Sequence, residues 1–349
     1  MKQMKKYLPF AAVLIFIVSL LVYSTYVGAE KEEEKEVAAY EAERHILVYS
    51  TLPSDVNREL EQDFYRQHHL HVTFQTQTEE QFITQTMANP QQHPDVVIAA
   101  EPTLKEMDRS QLLHPYESEQ TAMVPGMYKD AEGAWTGLWL NPMVFIVSQE
   151  YYIRQGMHLN TWDDLLTDPQ ITIAFPDLAS MDMAGDFLCS FVEMRGSELT
   201  GLYLRALQSH ITFYSKSMSA IARRVAGGEA DVGVIDATMA RQFRSDGVPF
   251  YIVYPADGTS YWLTGVAVTE WNHDEELANL FVEWLFSPEA DRILRKNHLY
   301  FNYTSNRAAQ SLDDRGQTLS VFPVHKNYTV TGRKALQDWW IKSVRFGKE

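Results

Sequence analysis

One cysteine, Cys189, in 349 residues excludes an intrachain disulfide and any cysteine-built metal centre, so the fold rests on its hydrophobic cores. Positive charge is also scarce. Thirty Lys and Arg against forty-six Asp and Glu leave a net charge of −16, which excludes broad electrostatic binding of nucleic acid. A Gly-x-Ser-x-Gly elbow, a His-Glu-x-x-His motif and a Gly-rich phosphate loop ending in Lys-Ser or Lys-Thr are all missing. Hydrolytic catalysis therefore has no motif to stand on.

What is present is a globular composition, 45% hydrophobic and 12% aromatic, long enough for two packed bodies. Lys2, Lys5 and Lys6 precede an apolar stretch from Leu8 to Val22, and the acidic run from Glu30 to Glu36 follows it. Positive before and acidic after places the remainder outside the cytoplasm. Val27 and Ala29 suit a signal-peptidase site, while Tyr7 to Val27 is long enough, at about 1.5 Å per residue, to span the bilayer as an anchor. Both readings stay open. Residues 30–44 carry seven Glu and read as a solvated spacer.

From His45 the chain alternates short apolar runs with amphipathic stretches, the pattern of βα units in a largely parallel sheet. Strands are expected at Ile46 to Ser50, Leu70 to Phe74, Asp95 to Ala100, Val144 to Val147, Ile171 to Phe175, Asp231 to Ile235 and Gly265 to Thr269. Helices are expected at Asp55 to His68, around Glu79 to Met87, and at Thr161 to Leu166, Asp182 to Arg195, Ser219 to Ala226 and Asp274 to Phe286. Cys189 lies in the apolar run from Phe187 to Val192 and reads as buried.

Three segments carry a resemblance. Thr161-Trp-Asp-Asp-Leu-Leu-Thr-Asp-Pro169 opens a helix with reciprocal capping by Thr161 and Asp164. Val225-Ala-Gly-Gly-Glu-Ala-Asp-Val-Gly-Val234 is a helix end leading into a buried strand, and Phe281-Val-Glu-Trp-Leu-Phe-Ser-Pro-Glu-Ala290 is a helix closing at Ser-Pro. In this order and spacing they resemble the type 2 periplasmic binding protein superfamily, in particular the ferric-iron, phosphonate and sugar-phosphate binding components of ABC importers. Trp139-Leu-Asn-Pro-Met143 is similar to the segment by which such proteins enter their second lobe.

The resemblance implies an α/β, two-lobed type 2 periplasmic-binding-protein fold with a ligand cleft between the lobes, preceded by the signal or anchor segment 1–29. Lobe 1 would comprise residues 45–141 plus 265–310, and lobe 2 residues 142–264 plus 311–349. It also implies a solute-binding protein without catalysis or cofactor, whose partner is an ABC permease; a sensor histidine kinase is the alternative partner. Among ferric-binding members the iron ligands are a His, a Glu and two Tyr. Glu101 matches the Glu position, but Pro53 and the pair Thr238-Met239 replace the others, so Fe(III) is not the expected ligand.

The candidate ligand-binding residues are small, hydroxylic or acidic: Ser50, Thr51, Glu101, Asn141, Ser180, Ser217, Ser219, Asp236 and Thr238. Hydroxyls at helix starts suit a phosphate, phosphonate or carboxylate. Glu101 and Asp236 suit an amine or sugar hydroxyls on the same ligand. Arg241 would pair with Asp236 or the ligand, and Trp135, Trp139 and Trp262 would wall the cleft or fill the core. His68, His69 and His71 read as solvated rather than metal-binding.

Overall fold

The computed structural model describes residues 44–78, 82, 93–156, 159–299, 319–324, 328 and 330–347. The expected signal or anchor segment, the spacer up to residue 43, and all of the helix expected around Glu79 to Met87 but Phe82 lie outside the described residues.

Strand β1 (His45–Ser50) runs through helix α1 (Ser54–His68) into the parallel strand β2 (His71–Thr76), and β3 (Val96–Ala100) adds on the other side of β1. All five residues of β3 are buried, because helices cover both faces of a parallel sheet. Val56, Leu60 and Phe64 recur at one-turn spacing along α1 and bury one face against it. Helix α2 (Glu101–Arg109), the short strand β4 (Leu113–His114) and helix α3 (Glu119–Ala122) follow.

Strand β5 (Thr136–Ser148) then runs for 13 residues, where only Val144 to Val147 was expected. After α4 (Gln149–Gln155) come β6 (Ile173–Pro176), α5 (Asp182–Arg195), α6 (Ser197–Gln208), β7 (Ile211–Ser215), α7 (Met218–Ala226), β8 (Val232–Asp236), α8 (Ala237–Ser245) and β9 (Phe250–Val253). Strand β10 (Tyr261–Thr269), α9 (Glu275–Leu285), α10 (Pro288–Lys296) and α11 (Val330–Trp340) follow among the described residues.

The strand order β2-β1-β3-β10-β5-β8-β6-β7 contains the same arrangement twice. Three parallel strands, β2-β1-β3 or β7-β6-β8, are each closed by an antiparallel one, β10 or β5. Strand β5 serves both halves. Its residues 136–142 pair with β10, and from Met143 on it pairs with β8 and β9. The side chains divide likewise into two cores, one around Phe64, Ile98, Trp139 and Phe281, the other around Phe145, Trp162, Phe187 and Phe191. This is the two-lobed α/β fold that the resemblance implied. The lobe boundary expected at 264/265 falls inside β10, however, and Tyr261 and Leu263 pack in the first core.

Three chain segments meet where the lobes join. Met143 N–H donates to Ser260 C=O at 2.9 Å, and the Thr259 hydroxyl donates to Met143 C=O at 2.8 Å. The third segment, residues 319–324, pairs with Thr259 through Val321. Thr259 is fully buried at this node.

At the opposite end of the first lobe, the buried Asp95 carboxylate accepts from Leu47 N–H at 2.7 Å and from His273 N–H at 2.9 Å, with the His273 ring at 2.6 Å. One side chain thus joins β1 to the turn after β10. Replacing it with Asn keeps one acceptor but loses the charge-assisted bonds, so Asp95→Asn is expected to cost about 1.5 kcal/mol. A melting temperature unchanged from wild type would refute this.

Candidate functional site

In open α/β sheets ligands bind beyond the carboxyl ends of the parallel strands. Here those ends, from both lobes, adjoin the strands that cross between them. Ala100, the last residue of β3, pairs with Thr264, which pairs with Trp139 of β5; Asp236, the last of β8, pairs with Met143. Glu101 and Asp236 are therefore offset by about four residues along β5, on the order of 13 Å, and by three strand steps across the sheet.

Asp236 caps α8. Its Oδ1 accepts from Met239 N–H at 2.9 Å and from the Asn141 amide at 2.9 Å, and Asn141 Oδ1 in turn accepts from Thr238 N–H at 3.0 Å. The crossing strand and the start of α8 are thus bound into one network. Burial pushes the Asp236 carboxyl above its ordinary range, opposed by those donors and by the charge of Arg241. Arg241 itself is buried, with its guanidinium on the Tyr254 hydroxyl.

Glu101 opens α2 and is 5% exposed, paired with Lys105 one turn on at 2.8 Å. Both line a cavity of about 390 Å³ with Asp108, Arg109, Trp135 and Val324. Lys105 was missed in the sequence, although its spacing from Glu101 on a helix was the signal for it.

In the second lobe Ser217 and Ser219 stand at the start of α7 with their hydroxyls 2.8 Å apart, and the Arg223 guanidinium reaches Ser219 Oγ at 3.3 Å. The side chain of the N-cap residue Ser217 makes no capping bond to this helix. Ser180 is exposed in the turn before α5. Ser50 and Thr51 are placed differently. Ser50 is fully buried with its hydroxyl donating to Asn57 Oδ1 at 2.9 Å, and Thr51 bonds the Ile98 carbonyl through its N–H at 3.0 Å. Both fix the turn after β1. The structure therefore groups Asn141 with Asp236 and Thr238, and Ser217 with Ser219, but engages Ser50 and Thr51 within the fold.

Trp135 and Trp139 pack in the first core, while His68 lies against Phe64 and His71 stacks on Tyr65. Cys189 is buried, and burial pushes its thiol up to about 12.

Residues 46–299 match the model of the family described as bacterial extracellular solute-binding protein, nearly three quarters of the chain. This chain belongs to that family. An uncharacterized protein of Haemophilus influenzae is 26% identical to it over 249 residues, covering 68% of this chain and 72% of the relative. The periplasmic binding protein AfuA of Actinobacillus pleuropneumoniae, solved with exogenous fructose-6-phosphate bound, superposes with a TM-score of 0.66 at 20% identity, covering 87% of this chain and 99% of that one. Iron-bound HitA of Pseudomonas aeruginosa gives 0.70 at 16% identity, covering 84% and 98%. The fold of this solute-binding protein is thus the type 2 periplasmic one.

Proposed function

We propose that this solute-binding protein captures a small anionic ligand, a phosphorylated sugar or a phosphonate, by closing its two lobes and delivers it to an ABC permease on the outer face of the membrane. The observation that carries the anionic part is the uncapped start of α7. Its backbone N–H groups, the Ser217 and Ser219 hydroxyls and the Arg223 guanidinium form a set of donors at the positive end of a helix. Asp236 and Glu101 suit the hydroxyls of the same ligand. The fructose-6-phosphate in AfuA supports this combination. Iron is disfavoured: of the positions matching ferric ligands only Glu101 offers an anionic oxygen, and it is paired with Lys105.

The test is the melting temperature of the full chain in detergent micelles against fructose 6-phosphate, 2-aminoethylphosphonate, inorganic phosphate, ferric citrate and neutral sugars. A ligand at a hundredfold excess over its dissociation constant stabilises by about 2.7 kcal/mol, a shift of several degrees. Shifts confined to phosphorylated or phosphonate compounds support the proposal. A shift with ferric citrate or neutral sugars alone overturns it.

A further inference from the structure

Helix α10 closes in a Schellman turn: His298 N–H donates to Arg295 C=O at 3.1 Å, and Leu299 N–H donates to Leu294 C=O at 2.9 Å. His298 stands at the left-handed position of this turn, with φ 62°. Glycine is the usual occupant of such a position, because a Cβ is disfavoured there. His69 ends α1 in the same conformation, with φ 57°, and its ring stays beside Tyr65 of its own helix. The His298 ring does not stay with its helix.

It crosses to the other lobe. Leu294 packs in the first core and Leu299 against it, whereas Ala237 and Ala240 of α8 pack in the second. Between the two, His298 Nε2 and Ser245 Oγ share a hydrogen bond at 3.2 Å, and the Thr238 hydroxyl donates to His298 C=O at 3.4 Å. Thr238, Arg241 and Ser245 recur at i, i+3 and i+7, one face of α8. Arg241, in the middle of that face, reaches the Tyr254 hydroxyl, and the Tyr254 ring packs against both cores. Helix α8 is thus built into the second lobe but held by His298 near both of its ends, at points about 10 Å apart along its axis.

We infer that His298 is a positioning residue for ligand capture: a clip from the first lobe that seats α8, and with it Asp236 and Thr238, across the lobe junction. A single contact would let the helix pivot about it, whereas two contacts about 10 Å apart oppose both pivoting and sliding. The start of the same helix is tied to the crossing strand through Asn141, which bonds Asp236 Oδ1 and Thr238 N–H. The groups that α8 presents to the cleft are therefore fixed relative to both lobes before a ligand arrives, which lowers the ordering cost of binding. The ligand half of this inference rests on the solute-binding reading above; the clip itself does not.

Two variants test it in the full chain in detergent micelles. His298→Gly keeps the carbonyl that Thr238 uses, suits the left-handed position and removes only the ring; Ser245→Ala removes only the ring's partner, at the far end of α8 from Asp236. In both, amide hydrogen exchange across residues 237–245 is expected to rise about tenfold, while exchange in α10 stays as in wild type. Each variant is expected to weaken fructose 6-phosphate about fivefold in calorimetric titration, and the double variant no further, since both remove one bond. Exchange in α8 that matches wild type in both variants, or a rise confined to α10 in His298→Gly, overturns the clip and leaves His298 a local helix end. Faster exchange in α8 with fructose 6-phosphate bound as tightly as by wild type overturns the positioning role. If no phosphorylated compound raises the melting temperature of the wild type, the anionic reading fails, and exchange in α8 alone decides the clip.

Discussion

Trp162→Ala is expected to lower the stability of the protein by about 4 kcal/mol, the largest single-residue loss among the changes considered. The indole is fully buried, with the rings of Phe145, Phe187 and Phe191 at 4.7, 4.9 and 5.1 Å. Its Nε1–H donates to Gly258 C=O at 2.9 Å, and its backbone N–H points at the Asp257 carboxylate at 3.2 Å. Alanine leaves a large cavity and a buried carbonyl without its donor, and each adds to the loss. Trp162→Phe separates the two terms, since it refills most of the volume but not the bond. The expected order in urea midpoints is wild type, then Phe, then Ala. A midpoint for Trp162→Ala within the error of wild type would remove Trp162 from the core. Gly258 and Asp257 belong to the segment that leads back to β10 and the first lobe, so hydrogen exchange around residues 255–260 should also rise in Trp162→Phe.

Trp162 shows where sequence reasoning succeeds and where it stops. The cap around it was legible because both partners are local: Asp164 Oδ2 accepts from Thr161 N–H at 2.7 Å, and Asp164 N–H donates to Thr161 Oγ1 at 3.3 Å. The helix expected from Thr161 to Leu166 is only a 3-10 turn at Asp163–Leu166. The bond to Gly258 spans 96 positions, and nothing at either end signals it. Helix α5 was legible at both ends, from Asp182 to Arg195, because acidic and basic residues flank a largely apolar run. Helix α8 was missed, since its sequence is short and polar and its start is set by a cap on Asp236. The acidic candidates fared differently from the hydroxylic ones. Glu101 and Asp236 stand at strand ends, which βα order alone predicts. Whether a hydroxyl at such an end turns outward depends on its neighbours, and Asn57 turns that of Ser50 inward.

Asp236→Asn is expected to weaken the ligand about a hundredfold while leaving the unliganded fold intact or firmer. Both structural bonds of Asp236 fall on Oδ1, and an Asn oxygen still accepts from Met239 N–H and the Asn141 amide. What changes is Oδ2, an anionic acceptor replaced by a donor, and a charge-assisted bond to a ligand hydroxyl is worth roughly 1.5–3 kcal/mol, ten- to a hundredfold or more in affinity. The pH dependence runs in a definite direction. Burial holds the folded carboxyl above its ordinary 3.8, so between that value and the raised one the folded chain keeps a proton that the unfolded chain has released. Stability from this group is therefore complete below the ordinary value and lost as pH rises through the raised one. The Asn variant has no such loss. Relative to wild type it should gain stability as pH rises to neutrality, and the gain should vanish in acid. Melting curves of both proteins across that range, with calorimetric titration at neutral pH, test the pair of expectations. Unaltered affinity would place Asp236 outside the ligand site, whereas a destabilised variant at neutral pH would mean that the buried charge serves the fold.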